Sequence, residues 1–77
     1  MNKVRKAKLA KIVEMIETAK DMLEEVQDEE QEAYDNLPDG IQMSDRGTEM
    51  EEGLSDLEDA YSNIEDAIEL ISSIVEA

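Results

Sequence analysis

Apolar side chains recur along this chain at alternating steps of three and four residues. From Met50 onward three columns repeat every seven positions. The first is Met50, Leu57, Ile64 and Ile71; the second is Leu54, Tyr61, Ile68 and Val75; the third is Gly53, Ala60, Ala67 and Ile74. Together they make a wide apolar stripe on one helix, running from Met43 to Val75, whereas a strand would need a period of two. The first half follows the same rule. Leu9, Ile16 and Leu23 recur at seven, with Ile12, Ala19, Val26 and Ala33 between them, and Val13, Met15, Met22 and Tyr34 widen the stripe. The column breaks at Glu30 and resumes at Leu37.

Asn36-Leu37-Pro38-Asp39-Gly40 separates the two patterns. Pro38 disfavours the helical conformation at Leu37, and Pro-Asp-Gly is a turn signal. Helix two has two candidate starts. Ser44 can act as N-cap with Asp45 in the first turn, and Thr48 with Glu51 makes a capping box. The stripe already begins at Met43, which favours Ser44. The expectation is one all-α domain over residues 1–77, an antiparallel two-helix hairpin: helix one over about 3–35, a connection over 36–44, helix two over about 45–76. A turn near Gly40 pairs Leu9 with Ile71, Ile12 with Ile68, Ile16 with Ile64, Ala19 with Tyr61, Leu23 with Leu57 and Val26 with Leu54.

Length changes this picture. With 77 residues a single core is marginal, and small domains often gain stability from disulfides, metals or association. The chain has no cysteine and no histidine, which removes disulfides, thiolate metal sites and the commonest general base. One seam leaves apolar surface unused. The small column Gly53, Ala60 and Ala67, with Ile74, and the flanking Met15 and Met22 are the candidate oligomer interface, and the expected assembly is a homodimeric four-helix bundle.

Charge changes it again. The net charge is −15, yet five of the seven basic residues, Lys3, Arg5, Lys6, Lys8 and Lys11, open the chain. From Ile12 onward 22 acids face only Lys20 and Arg46. The basic head opposes its own helix dipole, and an antiparallel neighbour carrying Glu69 and Glu76 offsets this. No stretch reaches the roughly 18 apolar residues of a membrane span, and Lys11 and Glu14 interrupt any signal-like core behind the head. A cytoplasmic protein with no membrane partner is therefore expected. The acidic body repels nucleic acid and attracts basic surfaces, so no direct nucleic-acid partner is expected either.

Carboxylates gather toward the turn. Glu25, Asp28, Glu29, Glu32, Glu49, Glu52 and Asp56 are the candidate partner-binding face, for a basic protein. In its sharp form they stand in for the phosphates of a nucleic acid. The bland reading is a solvated face that keeps the protein soluble; a third is weak divalent binding. An EF-hand fails on inspection: Asp35-x-Leu37-x-Asp39-Gly40 has Leu at the third position and Arg46 at the twelfth. A di-iron bundle needs Glu-x-x-His. Phosphate-binding glycine loops and hydrolytic triads are absent. No enzyme and no cofactor are expected. Glu30 stands in an apolar column, where it reaches solvent at a wet end, pairs with Arg46 or serves a ligand.

Residues 34–47, Tyr-Asp-Asn-Leu-Pro-Asp-Gly-Ile-Gln-Met-Ser-Asp-Arg-Gly, followed by Met50-Glu51-Glu52 and the acidic heptads, resemble a group of short, uncharacterised phage and prophage proteins. The resemblance covers the turn and the second half of the chain. It implies phage origin, and with it an inhibitor or accessory role in a host cell rather than metabolism. It implies that Ser44-x-Arg46-Gly47 is a structural helix start. It carries over no catalytic or binding residue.

Overall fold

A computed structural model describes residues Met1–Ala77, which form helices and no strand. Helix α1 spans Lys3–Asp35, the one-turn helix α2 spans Asp39–Gln42, and α3 spans Asp45–Glu76. Asn2 caps α1: its Oδ1 accepts from the Arg5 amide at 2.9 Å, satisfying one otherwise orphaned donor of the first turn. Asn36 ends α1, and Pro38 at φ −57°, ψ 147° turns the chain into α2. Ser44 sits in extended conformation ahead of α3, with Asp45 in the first turn. Its hydroxyl does not reach into α3 and donates instead to the Ile41 carbonyl.

Helices α1 and α3 lie side by side in an antiparallel rod with principal extents of 58 × 15 × 13 Å. Lys6 Nζ donates to the Ala77 backbone oxygen, so the basic head does meet the end of α3. The register differs from the pairing expected above. Lys6 with Ala77, Lys20 with Tyr61, Glu24 with Tyr61 and Tyr34 with Glu51 have numbers that sum to 81–85 rather than 80.

The rotation of α1 differs too. Its seam runs through Leu9, Val13, Ile16, Lys20, Leu23, Gln27, Glu30 and Tyr34, and Leu37 just beyond its end continues the line, all half-buried. Ile12, Ala19 and Val26, placed in the seam by the sequence pattern, lie outside it and are exposed, as is Ala33. The turn provides the physical reason. Gln42 Nε2 donates to the Tyr34 carbonyl at 3.0 Å, and the Tyr34 hydroxyl donates to Glu51. Anchoring Tyr34 and Leu37 inward brings in the residues seven and fourteen positions before Tyr34, which are Gln27 and Lys20. On α3 the seam is the expected one: Met50, Leu54, Leu57, Tyr61, Ile64, Ile68, Ile71 and Val75 are half-buried.

No apolar side chain is fully buried. The seam Leu and Ile side chains are all less exposed than Ile41 at 39%, so each gains well over half of the ~1.5–3 kcal/mol that full burial brings. The one buried residue is Gly47. A Cβ there would lie 2.0 Å from the Gln42 carbonyl oxygen, so α2 packs on α3 backbone to backbone, where no side chain fits.

Candidate interaction surfaces

The rod has two unlike flanks, and antiparallel geometry creates both. In such a pair, positions just after the seam on one helix lie beside the corresponding positions of the other, and positions just before it do the same. On the first flank Ala10 and Ser72 line one shallow groove with Val13, Val75 and Glu76. Further along, this flank carries Glu17 and Glu24 from α1 and Glu51, Glu58 and Glu65 from α3. Both tyrosine hydroxyls point to it: Tyr34 donates to Glu51, and Tyr61 donates to Glu24 at 3.5 Å.

These carboxylates shape the tyrosines. The hydrogen bond to Glu51 holds the Tyr34 hydroxyl above its usual pKa, with desolvation and the charges of Glu51 and Asp35 adding to it. Desolvation is the main cause for Tyr61, followed by the charge of Glu24, while Lys20, whose ammonium lies 5.6 Å from the ring centroid, opposes the rise.

The second flank is apolar. Helix α1 contributes Ile12, Ala19, Val26 and Ala33, bordered by Met15 and Met22; α3 contributes Gly53, Ala60, Ala67 and Ile74, bordered by Leu70. Ile12 is 41% exposed, Met15 65%, Met22 62% and Val26 50%. Gly53 and Ile74 are exposed, while Ala60 and Ala67 are half-covered by the seam. Near the turn this flank opens into a groove where Gly53, Ala60, Met50 and Leu57 meet Glu30, Glu49 and Asp56. The six residues selected from sequence as an interface thus share one side of the rod.

The acidic residues selected from sequence sit differently. Glu25, Asp28, Glu29, Glu32, Glu49, Glu52 and Asp56 are all exposed, but they radiate around the turn half instead of sharing one face. The only ion pair between side chains is Lys11–Glu14 at 3.8 Å. Glu30 is half-buried and does not pair with Arg46, which is exposed. No three carboxylates converge as a metal site would require. No helix is long and apolar enough to cross a membrane.

Charge divides along the rod as well. Residues 20–60, the turn half, hold sixteen acids against Lys20 and Arg46. The open half, residues 1–19 and 61–77, holds six acids against five bases. Almost the whole net charge therefore lies at one end.

Sequence reasoning missed the polar stretch of the seam. Its signal was present, since Lys20, Gln27 and Tyr34 continue the alternating three-four steps from Leu9 and Val13. Comparison with protein families, curated proteins and solved structures gives no match.

Proposed function

We propose that this protein is a non-enzymatic interaction module whose acidic turn half binds a basic protein surface. One observation carries the reading: sixteen carboxylates crowd the turn half, all but Glu30 exposed and none in a side-chain ion pair. Such a surface steers a basic partner from a distance and meets it with charges already free of intramolecular pairing. A nucleic-acid-binding protein is the sharpest choice of partner, with carboxylates along the rod in place of phosphates. The resemblance of residues 34–47 to phage proteins adds the setting, an inhibitor or accessory protein acting inside a host cell. The test is capture of a basic protein from host lysate. Retention should fall as salt rises from about 50 mM to about 500 mM, and fall again with charge reversal at Glu25, Glu29, Glu32 and Glu52. Retention indifferent to both contradicts the reading.

A second reading, a homo-oligomeric adaptor, is favoured by the apolar flank. It makes the hairpin one half of a dimeric four-helix bundle and leaves the acids a solubilising role. Ala60→Glu or Ala67→Glu then abolishes assembly and activity together, and a fully active monomer contradicts it.

A further inference from the structure

We infer that a second copy of this chain covers the apolar flank and lies head-to-tail, with the twofold axis crossing α1 near Ala19. The inference rests on the self-association reading and fixes its geometry.

Area speaks for an occupant of this size. The lone chain exposes 5813 Å², against about 4,700 Å² for a compact monomer of its mass. The apolar flank spans Ile12 to Ala33 on α1 and Gly53 to Ile74 on α3, about 32 Å at ~1.5 Å per residue, and the excess of about 1,100 Å² over a compact chain exceeds the ~800 Å² that each partner contributes to a stable dimer.

Position along the rod speaks for a twofold at its centre. Ala19 is the midpoint of α1, which spans Lys3–Asp35, and Ile12 and Val26 stand seven residues to either side. A half-turn about Ala19 lays Ile12 on the partner's Val26 and brings Met15 within one position of the partner's Met22. The same operation centres α3 between Ile64 and Asn63, and lays exposed Gly53 on the partner's Ile74, small against large.

Two face-to-face arrangements are possible, and charge chooses between them. With both heads at one end, α1 stacks on the partner's α3, and sixteen acids of one turn half meet sixteen of the other, Glu29 beside the partner's Asp56. At contact distance in a partly desolvated interface such repulsion outweighs what alanine and methionine packing provide. With the heads at opposite ends, α1 stacks on the partner's α1. Lys8 then comes within one position of the partner's Glu29, and each basic head lies over an acidic turn half. The open half, with five bases and six acids, faces the charged end instead of its own kind.

The chain has no cysteine, so single-cysteine variants carry a spin label at one known place. Ser62 and Ser73 are both exposed on α3, Ser62 near the centre and Ser73 near the open end. Electron–electron distance measurements on labelled Ser62→Cys and Ser73→Cys, with mass from light scattering, give the test. Head-to-tail packing separates the two Ser73 labels by about 28 Å along the rod and the two Ser62 labels by about 5 Å, at ~1.5 Å per residue. A dimer in which the two label pairs are equally spaced overturns the head-to-tail geometry and leaves self-association standing. A monomeric mass with no intermolecular distance overturns both.

Discussion

The two ends of the rod are held by different means. At the turn end the chain connection, the backbone contact at Gly47 and the hydrogen bonds from Gln42 and Tyr34 fix the geometry. At the open end half-buried Leu9, Val13, Ile71 and Val75 pack together, and Lys6 reaches Ala77. The turn end carries nearly all the net charge, and the open end is close to neutral. The contrast teaches where like charge is tolerable. A covalent turn with close backbone packing holds two helices together against mutual repulsion. Ends without a chain link depend on apolar contact and matched charge.

The largest expected effect comes from breaking the turn end. Gly47→Ala places a methyl against the Gln42 carbonyl, where backbone and not a mobile side chain must shift. Overpacking of this kind costs about 1–3 kcal/mol, and each kcal/mol lowers the melting temperature by roughly 4–8 °C in a domain this small. Gly53→Ala is the control, since a Cβ there meets nothing within 4 Å. It should stabilise the helix by about 0.5–1 kcal/mol. Thermal unfolding of both variants checks the pair, and equal effects would remove the special role of the turn.

A smaller effect sharpens the same end. The raised Tyr34 pKa means that the folded state favours the neutral phenol. The resulting stability is complete below about pH 10, the unfolded value, and is lost as pH rises through the folded value. Urea midpoints should therefore fall less above about pH 10 for Tyr34→Phe than for the unaltered chain. Parallel pH curves for the two proteins would show that the Tyr34–Glu51 contact adds nothing.

Much of this architecture was legible in the sequence, and the reasons are local. The alternating steps of three and four locate both long helices, and Pro38-Asp39-Gly40 with Ser44 locates the break between them. The α1 rotation was not legible from hydrophobicity. Ile12, Ala19 and Val26 are the more apolar choice beside Leu9, Ile16 and Leu23, yet the anchored Tyr34 selects Val13, Lys20 and Gln27. A three-four repeat admits two seams on one helix, and only the tertiary contacts of the turn decide which one closes. The one-turn α2 and the burial of Gly47 were hidden for a related reason, because they arise from backbone packing that composition does not encode. Among the candidate surfaces, the apolar flank follows from spacing once the seam is known. The acidic residues scatter around the rod because they occupy every outward position near the turn.

The seam itself admits a direct test, since the unaltered chain has no cysteine to interfere. Ala10 and Ser72 line one groove across the seam, whereas Ile12 is exposed on the opposite flank. Disulfides require Cα atoms within about 7 Å, so closure reports the register sharply. Mild oxidation of the Ala10→Cys/Ser72→Cys double variant should give an intrachain bond, while Ile12→Cys/Ile68→Cys should stay reduced. Closure of the Ile12–Ile68 pair with Ala10–Ser72 left open would contradict the two-flanked hairpin.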